Sequence, residues 1–208
     1  MLQRFLLIAS ITLLAVPVAA QAPAGWRVRV DRSQNAADPD NTPDLKFTTM
    51  GKGFHVTGGP AGTFWNPVNT VTGDYTARGT FTLIKPSDHV NYYGLVFGGG
   101  DLGGAGQNYI YFLVAQDGTY VVRHRAGNDV RDGQRAAHNA VRRPGNDGRS
   151  TNALEVRVAG NTISYVINGM VVHTTPKTGM TAKTDGIVGI RVNHVLDVHI
   201  EGFQVQKG

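Results

Sequence analysis

From residue 152 to residue 175 the chain reads NALEVRVAGNTISYVINGMVVHTT, and its apolar positions recur at every second residue. Leu154, Val156 and Val158 alternate with Glu155 and Arg157, and Ile163, Tyr165 and Ile167 repeat the alternation after Gly160 and Asn161. Residues 170–173 then return after Asn168 and Gly169. A period of two marks a strand with one buried and one wet face. Asn-Gly adopts at low cost the two positive φ angles of a type I′ hairpin turn. A three-stranded antiparallel meander is therefore expected, and it needs a second sheet to cover its apolar face.

The same reading predicts strands along most of the chain. Residues 26–30, 45–50, 53–57 and 74–85 alternate, the last with Tyr75, Ala77, Gly79, Phe81 and Leu83 on one face. Residues 92–97 and 108–116 are apolar on both faces, so the outer face of their sheet is either covered or a binding surface. Asp117-Gly118 turns the second of these into residues 119–125 as a hairpin. Residues 186–193 and 195–205 form the last two strands, and the phase slip at Glu201-Gly202 reads as a β-bulge. Residues 61–66 carry Phe64 and Trp65 between Gly and Pro breakers, and the glycine-rich run 98–107 reads as a flexible rim. Residues 126–151 form the longest irregular segment, with room for a short helix over 134–142. About twelve strands at close spacing predict an all-β, two-sheet antiparallel sandwich. Its N-terminal strand is expected to pair close to the C-terminal one.

Composition adds an address. Residues 1–20 have one basic residue, Arg4, then a nearly unbroken apolar run and the small residues Val18, Ala19 and Ala20 before Gln21. This is the pattern of a cleaved signal peptide, with residues 21–208 as a single exported domain, periplasmic or extracellular and not inserted in a membrane. Cysteine is absent, which excludes disulfides and thiolate metal sites. Residues 123–149 carry seven arginines against three aspartates, a net +4 in a chain of net +5 that includes Arg4. The rest of the domain is electrically balanced.

Candidate chemistry is sparse. A glycosidase needs two placed carboxylates, and the two glutamates, Glu155 and Glu201, both fall on wet strand positions. Asp197 and His199 point the same way on the last strand, with His194 just upstream, so Asp197, His199 and Glu201 are the catalytic candidates. An outward polar row explains the same residues. The Asp197–His199 pair reads equally as metal ligands or as an acid–base pair, and the loop DPDNTPD offers Asp38, Asp40 and Asp44 as hard oxygen donors for Ca²⁺, or it is an ordinary turn-rich loop. There is no G-x-S-x-G elbow, H-E-x-x-H or P-loop. Tyr109, Tyr111 and Tyr120 with Arg123, His124 and Arg125 form the candidate ligand surface, because tyrosine faces stack on sugar rings and guanidinium forks bind carboxylate or sulfate. Nucleic acid would use the same groups, but export and the modest charge argue against it.

The run N-A-L-E-V-R-V-A-G-N-T-I-S-Y-V-I-N-G from Asn152 resembles the pattern of concanavalin A-like sandwiches: laminin G-like domains, legume-type lectins and family-16 glucanases. So do G-D-Y-T-A-R-G-T-F-T-L, Y-Y-G-L-V-F-G-G and the ending G-I-V-G-I-R-V-N…L-D-V-H-I-E-G-F-Q-V. The resemblance spans about residues 26–205 and implies a jelly roll. In flavour the chain is similar to bacterial exported 3-keto-disaccharide hydrolase-like domains, though it lacks the L-F-N-G-K-D-L-x-G-W opening common there and the E-x-D-x-x-E strand of the glucanases. Such sandwiches host lectins, hydrolases and inert modules. Three readings follow: a non-catalytic carbohydrate-binding module that prefers acidic glycans, a glycoside hydrolase or lyase, and a structural domain without ligand. The second requires two of Asp101, Asp185, Asp197, His194, His199 and Glu201 to converge in a pocket.

Overall fold

The computed structural model describes residues 22–35, 37–40 and 45–208. The expected signal peptide and Asp44 lie outside these residues. Among the described residues fourteen strands form two antiparallel sheets of seven. They are β1 (Arg27–Asp31), β2 (Lys46–Met50), β3 (Gly53–Thr57), β4 (Ala61–Val71), β5 (Tyr75–Lys85), β6 (Tyr92–Gly100) and β7 (Asn108–Ala115). Then follow β8 (Thr119–Ala126), β9 (Asp129–Ala137), β10 (Ser150–Ala159), β11 (Thr162–Ile167), β12 (Met170–Pro176), β13 (Gly186–Val192) and β14 (Asp197–Lys207). The first sheet runs β1-β4-β13-β6-β7-β8-β9 and the second β12-β11-β10-β5-β14-β3-β2. Among the described residues no helix is long and apolar enough to cross a membrane.

The expected meander is β10-β11-β12, and Leu154, Val156, Val158, Ile163, Tyr165 and Ile167 all point into the core. Asn168 (φ 50°) and Gly169 (φ 84°) both take positive φ, as a type I′ turn requires. Phe81, Leu83, Tyr93, Leu95, Phe97, Ile110, Phe112, Val198 and Ile200 complete the layer between the sheets. The bulge in β14 is present: the register with β5 slips between Glu201 and Gln204, and Gly202 has φ 59°.

Two strands escape the hydrophobic pattern. β4 runs on through Pro67, where its ladder with β13 is interrupted between Trp65 and Thr70, so the missing N–H costs no strand pairing. β9 replaces the helix allowed for residues 134–142. It is an edge strand exposed along most of its length, so no apolar face records its period. The remainder of the long segment is held from below. Buried Asn152 accepts the Arg142 N–H (2.8 Å) and donates to the Arg142 carbonyl (3.1 Å), Asn168 donates to the Ala140 carbonyl (2.7 Å), and Val141 docks in the core. Nor does the glycine-rich rim hang free: Leu102 is buried and Arg29 donates to the Gly104 carbonyl.

The terminal strands do not pair. β1 joins β4 in the first sheet while β14 lies between β5 and β3 in the second. They meet by packing, Trp26 against Phe203 with ring centroids 5.5 Å apart.

Candidate functional site

The outer face of the first sheet is the unusual surface. In β7, Ile110, Phe112 and Val114 fill the inter-sheet core, while Tyr109, Tyr111 and Leu113 belong to a second apolar cluster on the other side. Trp65, Tyr92, Val96 and Val121 join that cluster, and Leu102 of the rim caps it. Residues opposite one another in an antiparallel ladder share a face. Tyr109 faces Arg125 and Tyr111 faces Arg123 on the outside, whereas Val114 faces Tyr120 and Ile110 faces His124 on the inside.

The six sequence-predicted ligand residues therefore divide. Tyr109, Tyr111, Arg123 and Arg125 come together. Tyr120 instead packs in the core and donates to the Val172 carbonyl at 3.1 Å, and His124 lies 3.2 Å from Asn108 Oδ1. Burial and the charges of Arg131 and Lys183 hold the His124 pKa below its usual value. A one-residue offset in β8 places a side chain on the other side of the sheet, and the run Y-V-V-R-H-R puts Arg123 and Arg125 on one phase and Tyr120 and His124 on the other.

Sequence reasoning missed the residue that joins these groups. Arg191 on β13 is almost wholly buried, and its Nη1 donates to Asp31 (2.8 Å), Thr63 Oγ1 (2.9 Å) and the Tyr109 hydroxyl (3.0 Å). Its guanidinium stands 5.8 Å over the Tyr111 ring, a cation–π distance. Asp31 also pairs with Arg29 (3.0 Å) and Arg125 (3.2 Å), so one carboxylate serves three guanidiniums. Burial alone would raise the Asp31 pKa, but the charge and hydrogen bond of Arg191, the charge of Arg125 and the Arg29 hydrogen bond outweigh it and hold the carboxyl below its ordinary range. A lone arginine within the apolar run G-I-V-G-I-R-V was the available signal.

Beside this cluster lies a cleft of about 280 Å³ lined by Tyr92, Tyr111, Arg123, Arg125, Arg191 and Asn193. Arg123 pairs with the exposed Asp132, and Arg135 stands 5.9 Å over the Tyr92 ring. The buried Asn193 Oδ1 accepts no hydrogen bond from the described residues. Burial raises the Tyr111 pKa despite the charges of Arg191 and Arg123, so its phenol stays neutral. The cleft thus has an aromatic floor and an excess of guanidinium charge.

The catalytic candidates stand elsewhere. Asp197, His199 and Glu201 lie on the outer side of β14 in the second sheet, alternating with the buried Val198 and Ile200. Asp197 pairs with His55 (3.0 Å) and His199 with Glu201 (3.2 Å). Asp185 accepts the Gly73 N–H, and Asp101 accepts the Gly106 N–H, each at 3.0 Å. Of the calcium candidates, Asp38 Oδ1 accepts the Asp40 N–H (3.0 Å), an Asx turn, and Asp40 Oδ2 faces His194 (3.2 Å) and His89 (3.6 Å). Burial lowers the His194 pKa, with the His89 and Arg191 charges adding to it and Asp40 and Asp38 opposing.

No protein-family model and no curated protein sequence matches the chain. Solved structures do match. The carbohydrate-binding module CBM66 from Bacillus subtilis superposes with a TM-score of 0.63 at 9% identity, over 88% of this chain and 96% of that one. A protein of unknown function with a galectin-like fold, also from Bacillus subtilis, gives 0.62 at 14% identity over 88% and 89%. The carbohydrate recognition domain of Emp47p gives 0.57 at 12% identity over 89% and 90%. With the two seven-stranded sheets, these likenesses establish that the chain has the concanavalin A-like, galectin-type jelly-roll fold.

Proposed function

We propose that this protein is an exported, non-catalytic carbohydrate-binding module whose arginine cleft prefers acidic glycans. The observation that carries the reading is the composition of the cleft. Tyr92 and Tyr111 floor it with the small part of each ring that is exposed, and Arg123 and Arg125 at its wall supply donors and positive charge, with Arg191 behind them adding to that charge. Sugar rings stack on aromatic faces, and guanidinium groups bind carboxylate or sulfate in two-pronged fashion. Two of the similar structures are described as a carbohydrate-binding module and a carbohydrate recognition domain, which supports the class of ligand. Glu155 and Glu201 line no common cleft and are engaged with Arg157 and His199, which favours binding over hydrolysis.

The test is a binding measurement against matched neutral, uronic-acid and sulfated glycans, with and without Ca²⁺. Acidic glycans are expected to bind, more weakly as salt rises. Arg123→Ala, whose partner Asp132 is exposed, is expected to lower that affinity about tenfold while leaving the melting temperature nearly unchanged. Equal binding of neutral and acidic glycans would remove the acidic preference. Binding to none of them would end the module reading.

A further inference from the structure

Three connections that cross between the two sheets meet at one rim of the sandwich. They are β1–β2, β5–β6 and β13–β14, and each delivers one metal-ligating side chain: Asp40, His89 and His194. Their ligand atoms lie within 4.8 Å of one another. Asp40 Oδ2 is 3.2 Å from His194 Nε2 and 3.6 Å from His89 Nε2, and the two imidazole centroids are 5.5 Å apart. A tetrahedral ion held at about 2.0–2.1 Å keeps its ligands roughly 3.3–3.5 Å apart, so the gaps of 3.2 and 3.6 Å each need a shift of only about 0.1 Å to fit.

The supports are built in. His194 precedes Val195, a β-branched residue held at φ 60°, and the Val195 N–H donates to the Gly59 carbonyl. Such a residue seldom takes positive φ, and strain of this kind gathers at functional sites. The His89 carbonyl accepts from Ser87 Oγ (2.7 Å) and from Gln116 Nε2 (3.1 Å), which fixes the backbone beneath an exposed ring. Buried Asn91 Nδ2 lies 3.1 Å from His89 Nε2, a contact that a coordinate bond would replace. Asp38 adds negative charge near His194, and Arg191 opposes it.

We propose that Asp40, His89 and His194 together bind one divalent ion of the zinc class. Two imidazole nitrogens and one carboxylate suit Zn²⁺, Co²⁺ or Ni²⁺, whereas Ca²⁺ takes six to eight oxygens. Three protein ligands leave a coordination position open, and the adjoining cleft of about 260 Å³, lined by Asp40, His194, Asp38 and Arg191, gives it access to solvent or ligand. The inference does not depend on the carbohydrate reading. Bound metal would fasten the β1–β2 segment to the rim.

The experiment is titration of the EDTA-stripped chain with Zn²⁺ and, separately, Ca²⁺ by calorimetry, with thermal melts in parallel and Co²⁺ as a spectroscopic probe. One Zn²⁺ per chain, a raised melting temperature and the strong visible absorption of four-coordinate Co²⁺ are expected, with Ca²⁺ failing to compete. His89→Ala and His194→Ala should each weaken Zn²⁺ binding more than about tenfold and abolish the melting shift, while His55→Ala and His199→Ala leave both intact. No Zn²⁺ binding by the unaltered chain would overturn the proposal, and so would equal binding by the His89 and His194 variants. The unaltered chain decides the first outcome even if a variant folds poorly.

Discussion

The outer faces of the two sheets were built from the same alternation, yet they are different kinds of surface. On the second sheet the outward positions are threonines and paired charges: Thr82 bonds Thr151, Arg78 donates to Gln204, and Glu155 pairs with Arg157. That face also holds a larger cleft, about 440 Å³, opened around Gly79, Gly169 and Gly202, but no aromatic ring lines it. On the first sheet the outward positions are tyrosines and aliphatic residues, and the charge sits in a layer above them around Asp31 and Arg191. Cleft volume follows from missing side chains, whereas capacity to recognise a ligand follows from which groups converge. The proposed site is therefore the smaller cleft, where aromatic and cationic groups converge.

The contrast can be broken most severely at Asp31. Asp31→Asn removes the one carboxylate among Arg29, Arg125 and Arg191, and leaving Arg191 buried without a counter-ion should cost about 3 kcal/mol in chemical denaturation. Replacing Asp31 and Arg191 together with apolar residues should cost less than the single change, because no unpaired charge is left behind. A double-mutant cycle reads that difference directly.

A gentler perturbation of the same cluster is pH. The folded Asp31 pKa is depressed, so its stabilising contribution is complete above the unfolded value near 3.9 and is lost as pH falls through the lower folded value. Stability should therefore decline below about pH 4, and Asp31→Asn should flatten that part of the decline in acid titrations followed by near-UV circular dichroism. A slope unchanged in the variant would mean that other carboxylates carry the acid sensitivity.

The smallest effect belongs to the second sheet. Arg78→Ala loses two exposed bonds to Gln204 and should move stability by no more than about 0.5 kcal/mol, with glycan binding unaltered. A large loss of binding there would transfer the site to the wider cleft and reverse the comparison.

How much could be read beforehand depended on whether a feature leaves a local trace. The meander, its Asn168-Gly169 turn and the Gly202 bulge are local, and each follows from residues a few positions apart. β9 left no trace, because an edge strand wet on both faces needs no apolar period. The tyrosine–arginine surface was half legible: apolar residues on both phases of β7 announced a covered or working outer face, and Arg123 and Arg125 share a phase that Tyr120 and His124 do not, but which phase of β8 faces out is set by its ladder with β7.

The all-β class, the meander with its turns and the location of positive charge follow from period and composition, which act within a few residues. Which distant groups meet is a property of the folded chain. Asp31 and Arg191 are 160 positions apart and share a hydrogen bond of 2.8 Å, and Asp40, His89 and His194 converge from three separate connections. Sheet order and crossovers set such encounters. They are settled by how two apolar faces close on each other over the whole chain.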